Sequence, residues 1–362
     1  MTASPSPQFW NGKRVLVTGH TGFKGAWLSL WLDQLGAKVT GLALPPDDDV
    51  SLFAHAELGN SVDSRFSDIR DQNAVMDVVA DSRPEVIFHL AAQSLVRPSY
   101  EDPVGTYATN VMGTINLMEA SRHSGCVETF INVTSDKCYE NFEWERPYHE
   151  DDRMGGYDPY SSSKGCSELI TSAYRRSFFQ SAGETTSVAL ASARAGNVIG
   201  GGDWSRDRLI PDCVNALLDG RPILIRNPHA VRPWQHVLEP LSGYLQLAEK
   251  MAKNRTAYAD AWNFGPDSQD AQTVQWIVEQ MTRSWGGKAT WELQTGDHPH
   301  EATFLRVDTA KAQQHLDWHP RLDAASAVAW TAQWYRDQSA GADARELCFE
   351  QIQQYQDISS GQ

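Results

Sequence analysis

The chain has 362 residues and a formal net charge of -15 at neutral pH, long enough for one large or two modest domains, and its 41% apolar content with mixed charges excludes a disordered protein. No basic cluster offsets the acidity, which argues against a nucleic-acid or anionic-membrane partner. Five scattered cysteines (Cys126, Cys138, Cys166, Cys213, Cys348) lack any CxxC spacing; with no leader-like start and no apolar window near the roughly 20 residues of a membrane span, the expectation is a cytoplasmic protein with no metal site.

In chain order, RVLVTG (14–19) reads as a buried strand running into a glycine. The helix after it places Trp27, Leu28, Trp31, Leu32 and Leu35 on one face and stops at Gly36. KVTGLAL (38–44) is a second strand, followed by a strand near 61–66, a helix over about 71–80 and the strand EVIFHL (85–90). A helix across 104–122, the strand TFINV (129–133), a helix through 161–178 and the strand SVALAS (187–192) complete the rhythm. Such alternation predicts a Rossmann-type doubly wound parallel sheet. After Arg194 the composition turns loop-like (GNVIGGGDWSRDRLIP) and a smaller mixed α/β C-terminal substrate domain is expected. The expected division is 10–193 with 233–265 for nucleotide binding, and 194–232 with 266–355 for substrate, interleaved.

Three places carry chemistry. TGHTGFKG puts Gly19, Gly22 and Gly25 between a strand and its helix. That pattern suits a tight turn, a close pyrophosphate and close helix packing, with free helix amides for the phosphates; the plain alternative is a packing turn. The second strand runs into LALPPDDD with neither an acid at its tip for a ribose nor an arginine for a 2′-phosphate. Asp68, after the third strand, reads as an acceptor for the adenine amino group or as a helix cap. YSSSK places Tyr160 and Lys164 at i and i+4 on one helical face. There an ammonium and a cationic nicotinamide would bring the phenol, with an unperturbed pKa near ~10, toward a working range. Finally, the strand TFINV runs into Ser135 and then an adjacent acid and base, Asp136 and Lys137. These are either an exposed ion pair worth under about 1 kcal/mol or an acid–base couple aimed at one substrate.

Together these residues resemble the extended short-chain dehydrogenase/reductase family, in its sugar-nucleotide branch. The likeness spans roughly residues 10 to 340 and is carried by TGHTGFKG, HLAAQSLV (89–96), TNVMG (109–113), Ser135, YSSSK, RAGNVIGGGD (194–203), RPWQHV (232–237) and LDWHP (316–320). Relatives acting on dTDP-glucose carry Thr-Asp-Glu where this chain has Ser135-Asp136-Lys137, and their second strand commonly ends in an acid absent here. Both departures point to the 4,6-dehydratases that act on CDP-glucose; a 4-epimerase, a dehydratase of dTDP- or UDP-glucose, and a silent nucleotide sensor are the alternatives.

The resemblance implies NAD as cofactor, contacted by Gly19, Thr21, Gly22, Phe23, Lys24, Gly25, Asp68, Ile69, Leu90, Ala91, Ala92, Thr109, Tyr160 and Lys164. It implies catalysis by Ser135, Asp136, Lys137, Tyr160 and Lys164, with Asp136 the acid and Lys137 the base of the water loss. It implies substrate contacts from Gln93, Ser94, Ser135, Asn197, Arg208, Leu209, Arg232, His300 and Glu301. It further implies a nucleotide-sugar substrate (CDP-glucose), a homodimer or higher homo-oligomer, and a place in deoxysugar biosynthesis for cell-surface polysaccharide.

Overall fold

A computed structural model describes residues 4–46, 50–179, 188–205, 208–286, 290–294 and 305–358. Seven strands form the central sheet: β1 Arg14–Thr18, β2 Lys38–Ala43, β3 Asp63–Phe66, β4 Val86–His89, β5 Thr129–Val133, β6 Ala189–Ala195 and β7 Ala261–Phe264. Their order is β7-β6-β5-β4-β1-β2-β3 and every pairing is parallel. The main helices are α1 Phe23–Gln34, α2 Gln72–Ser82, α3 Thr114–Ser124, α4 Pro159–Tyr174, α5 Leu209–Leu218, α6 Leu238–Lys253, α7 Val274–Trp285, α8 Ala324–Ser339 and α9 Ala344–Asp357. This is the Rossmann-type, doubly wound sheet that the alternating pattern predicts.

Alternate strand residues feed two cores, as the pleat requires. Val15, Val17, Phe88, Ile131 and Val133 join the core under α1, α6, α8 and α9, whereas Leu16, Ile87 and Phe130 join the one under α2 and α3. The predicted one-faced character of α1 does not hold. Every residue from Gly25 to Leu32 is buried, because α9 crosses its outer side, with Trp31 edge-on to Tyr355 at 5.8 Å. The predicted 104–122 helix is several pieces: Pro103–Tyr107, capped by Asp102, then a π-helical turn Ala108–Gly113, then α3. β6 runs three residues beyond the predicted end, to Ala195, because β7 returns to pair with it from Ala261 to Phe264.

Beyond β6 the chain builds small pieces. Ile223–Ile225 pairs with Trp291–Leu293, Val231–Pro233 with Ala271–Thr273, and Val198–Ile199 with Gln235–His236. α5 and α7 close a small core with Cys213, Ala216, Ile223, Ile225 and Val278. Among the described residues, no helix is long and apolar enough to cross a membrane, and no group of three or more His, Cys, Asp or Glu is placed to hold a metal ion.

Candidate active site

The strand order reverses between β1 and β4, and a ligand crevice belongs outside the carboxyl ends of the strands at such a point. The cleft there has a volume of about 1190 Å³. Gly19 sits at φ 76°, and a Cβ on it would lie 2.8 Å from the Ala91 nitrogen; one on Gly25 would lie 2.0 Å from the Gly19 carbonyl oxygen. Protein packing alone demands both glycines. Gly22 differs, since its Cβ would meet only the Gly19 oxygen at 3.4 Å. It is the N-cap of α1 and lines the cleft, so its bare face serves close approach of a ligand to free helix amides. Thr21, Phe23, Lys24, Asp68, Ile69, Leu90, Ala91, Ala92 and Thr109 line the same cleft. The cradle fits a dinucleotide diphosphate.

Toward the β3 end, the Asp68 carboxylate is paired with Arg70 at 2.6 Å. The capping alternative for Asp68 falls, because the cap of α2 is Asp71, which accepts from the Asn73 and Ala74 amides.

The residues of the other two motifs converge. Ser135, Asp136, Tyr160 and Lys164 are 7%, 3%, 8% and 6% exposed, which excludes the exposed-ion-pair reading of Asp136. Asp158 caps α4 through the Ser161 amide, with Pro159 opening the helix, so Tyr160 and Lys164 stand in its first turns under the end of β5. Ser135 caps a short 3₁₀ turn, Asp136–Cys138; its oxygen accepts from the Lys137 amide at 3.2 Å and its hydroxyl donates to Asp136 Oδ1 at 3.0 Å. The Lys137 ammonium lies 5.9 Å from the centre of the Tyr160 ring, and Lys164 Nζ donates to the Val133 carbonyl at 3.4 Å.

Burial dominates the electrostatics of this cluster. It pushes the Tyr160 phenol up to about 12, against the pull of its hydrogen bond with Ser135 and the charge of Arg208. The protein's own groups therefore do not supply the expected net downward shift. Burial brings the Lys164 amine down to about 8, opposed by Glu168, and with the charges of Lys164 and Arg208 it brings Lys24 to about 7. It also raises the Asp136 carboxyl, although Lys137, Ser135 and Arg232 oppose it.

Of the predicted substrate contacts, Ser94, Asn197, Arg208, Leu209 and Arg232 line the cleft. Arg208, at the N-cap of α5, pairs with Asp203 at 3.0 Å and reaches Ser94 at 3.5 Å. Gln93 does not line it. Its side chain is spent on its own loop, donating to the Leu95 carbonyl and Thr106 and accepting from the Leu95 amide. His300 and Glu301 lie outside the described residues.

Sequence reasoning passed over the supports. Asn110, within TNVMG, both accepts from the Gln93 amide and donates to the Gln93 carbonyl, and donates to Ser163, whose hydroxyl donates to the Tyr160 carbonyl. His89 bridges Thr18 at 2.7 Å and Thr114 at 3.0 Å behind the crevice. Glu168 was legible as the next residue on the Tyr160–Lys164 face, another four positions along.

Comparison with known proteins agrees with this layout. Residues 16–331 match the GDP-mannose 4,6 dehydratase family. The CDP-glucose 4,6-dehydratase of Salmonella typhimurium is 50% identical over 336 residues, covering 92% of this chain and 94% of the relative. The dTDP-glucose 4,6-dehydratase of Streptomyces niveus is 29% identical over 341 residues, covering 90% and 94%. Among solved structures, the dTDP-glucose 4,6-dehydratase of Bacillus anthracis in complex with NAD matches with a TM-score of 0.76 at 22% identity, covering 92% of this chain and 100% of that one. The UDP-glucose 4-epimerase of Thermotoga maritima with UDP-glucose matches with a TM-score of 0.77 at 20% identity, covering 90% and 99%. At those identities the structures show the shared fold. The family match runs from within β1 into α8 and takes in the glycine loop, the Tyr160–Lys164 helix and the loops facing them, so the chain belongs to the GDP-mannose 4,6-dehydratase family of the extended short-chain dehydrogenases/reductases.

Proposed function

We propose that the protein is an NAD-dependent hydro-lyase that converts CDP-D-glucose to CDP-4-dehydro-6-deoxy-D-glucose and water. The observation that carries the chemistry is the buried Ser135-Asp136-Lys137 turn set against Tyr160 and Lys164 in one cleft. The nucleotide rests on the 50% identical relative and on the same Ser-Asp-Lys departure noted in the sequence.

Gly19, Gly22, Gly25 and the first turn of α1 would hold NAD in the cradle, where its nicotinamide would supply a reversible hydride acceptor for sugar carbons 4 and 6. The residues do the rest. Tyr160 takes the proton of the 4-hydroxyl, with Ser135 hydrogen-bonded to the phenol to orient it and Lys164 providing positive charge below. The 4-ketone so formed acidifies the hydrogen on carbon 5, which Lys137 removes as a proton and gives back to carbon 5 when hydride reaches carbon 6. Asp136, its carboxyl held toward the protonated form by burial, donates to the departing 6-hydroxyl. Arg208 and Arg232 clamp the diphosphate with guanidinium donors, and Ser94, Asn197 and Leu209 line the rest of the substrate site. Asp68 and Ile69 contact the adenosine end.

We read the chain as two interleaved domains, 10–193 with 233–265 for the dinucleotide and 194–232 with 266–355 for the sugar nucleotide. A homodimer is supported by apolar side chains left open on neighbouring helices, Val104 at 78%, Met112 at 52% and Leu169 at 60% exposure. The protein acts in the cytoplasm, in deoxysugar biosynthesis for cell-surface polysaccharide. Incubation with CDP-glucose, dTDP-glucose and UDP-glucose followed by mass spectrometry tests the assignment. Loss of one water from CDP-glucose in preference to the other two, with no net NADH, is expected. An unchanged mass with inverted carbon 4 would mark an epimerase, and no turnover of any would mark a binding module.

A further inference from the structure

Glu168 is 4% exposed on α4, two helical steps of four residues beyond Tyr160 and one beyond Lys164. A buried carboxylate is costly unless its oxygens are filled. Here Thr134 donates to Oε1 at 2.5 Å, and Ser192 and Arg194 both donate to Oε2 at 2.7 Å. Arg194 is fixed in turn. Its other terminal nitrogen donates to the Tyr139 hydroxyl at 2.7 Å and the Glu150 carbonyl at 2.9 Å, and its guanidinium lies 5.0 Å from the centre of the Tyr139 ring. The carboxylate therefore ties three elements together: α4, the last residues of β6, and Thr134, which immediately precedes Ser135-Asp136-Lys137.

We propose that Glu168 is a positioning residue for the dehydration. Locked by Thr134, Ser192 and Arg194, its negative charge holds Lys164 as an ammonium beneath Tyr160, and its bond to Thr134 holds the Ser135–Lys137 turn against that pair. The proposal rests on the dehydratase reading above. Lys164 faces charged and titratable groups on every side: Tyr160 and Glu168 on its own helix, Cys138 after β5, His89 at the end of β4 and Lys24 on α1. Glu168 is the anion foremost among those that favour its charged form, and the charge of Lys164 in turn lowers Lys24. Three donors keep Glu168 itself ionised against the effect of burial.

The test compares Glu168→Gln with the parent protein by two readouts: kcat/KM for CDP-glucose against pH at saturating NAD, and the pH dependence of Lys164 acetylation by a small reagent, followed by mass spectrometry. Lys164 lines the cleft but is only 6% exposed, so the labelling uses a small reagent and long exposure without NAD, and compares midpoints, not absolute rates. Removing a unit charge four residues along the helix, where side chains stand roughly 5–6 Å apart, across an effective dielectric near 20 should move both the alkaline limb and the labelling midpoint down by about one to two pH units. Activity lost near pH 8 should return as the pH is lowered. Thr134→Val should leave both midpoints in place and lower the rate at all pH values alike. Should the unpaired Arg194 of the single variant prevent folding, Glu168→Gln with Arg194→Gln removes the opposing cation as well and is expected to move both midpoints in the same direction by a smaller amount. Unmoved midpoints, or a loss of rate uniform in pH, in a folded Glu168 variant would overturn the proposal. If the parent protein removes no water from CDP-glucose, the dehydratase reading fails while the labelling midpoint still decides the role of Glu168.

Discussion

Gly25→Ala and Gly22→Ala separate the two uses of the glycine loop. At Gly25 the new carbon would lie 2.0 Å from the Gly19 oxygen, 2.7 Å from the Gly19 carbonyl carbon and 2.9 Å from His20 Cα, all backbone. Helix α1 would have to retreat by roughly 1.4 Å to reach an ordinary contact, and a close-packed interior does not yield so far. α1 is buried on every side, so overpacking should cost about 1–3 kcal/mol or more, read as a clear fall in the thermal unfolding midpoint. At Gly22 the backbone is extended, at φ -83°, and the nearest atom stands at 3.4 Å, so Ala there should unfold within about 0.5 kcal/mol of the parent. Its methyl, however, rises into the cleft. Lifting a phosphate by about 1 Å stretches its bonds to the loop amides beyond hydrogen-bonding range, and losing one charge-assisted bond of about 1.5–3 kcal/mol weakens binding roughly 10- to 150-fold. Isothermal titration with NAD and differential scanning calorimetry on both variants read out the contrast. A Gly22→Ala protein that binds NAD like the parent would refute the use of that bare face as the phosphate floor.

Other perturbations address the remaining groups. Lys137→Ala should slow water loss more than the initial oxidation at carbon 4, seen by stopped-flow absorbance of transient NADH; equal slowing of both steps would remove Lys137 from the base role. Lys164 works as an ammonium, and burial lowers its pKa from 10.5 to about 8. The active form is thus lost as pH rises through that value, and kcat/KM should fall there, whereas a profile flat well beyond it would contradict the assignment. Glu239 is a stability probe far from the chemistry. Its carboxyl accepts from the Arg321 and Leu322 amides and from Tyr355, and burial raises its pKa from 4.5 to about 7. A raised acid stabilises the fold below its unfolded value and loses that contribution as pH rises through the folded one. The unfolding temperature should therefore decline between about 4.5 and about 7, with Glu239→Gln flattening that slope.

Strands β1, β4 and β5 were legible as short runs rich in β-branched residues, and TFINV is the observed β5; β7, AWNF, carries no such run and was not foreseen. Helix α1 misled because its sequence shows five apolar positions on one stripe, while the covering for the other faces comes from α9, more than 300 residues away in sequence. The 104–122 helix looked continuous because its apolar spacing runs on through Gly105 and Gly113, although Gly113 closes the π turn. Within that turn Asn110 holds Gln93, a tertiary bond with no local signature. Gln93 suits a sugar contact by type, but Leu95 and Thr106 take its polar atoms and it falls outside the cleft lining. Tyr160, Lys164, Ser135 and Asp136 were readable from spacing and strand ends. The direction of the Tyr160 shift was not, since it depends on how deeply the fold buries the phenol.

The central claim, that one buried cluster oxidises carbon 4, eliminates across carbons 5 and 6 and returns the same hydride, is tested most directly by CDP-glucose carrying deuterium at carbon 4. The account predicts that the label reappears on carbon 6 of the product within one turnover, without dilution by solvent. Label found still at carbon 4, or lost to water, would contradict it.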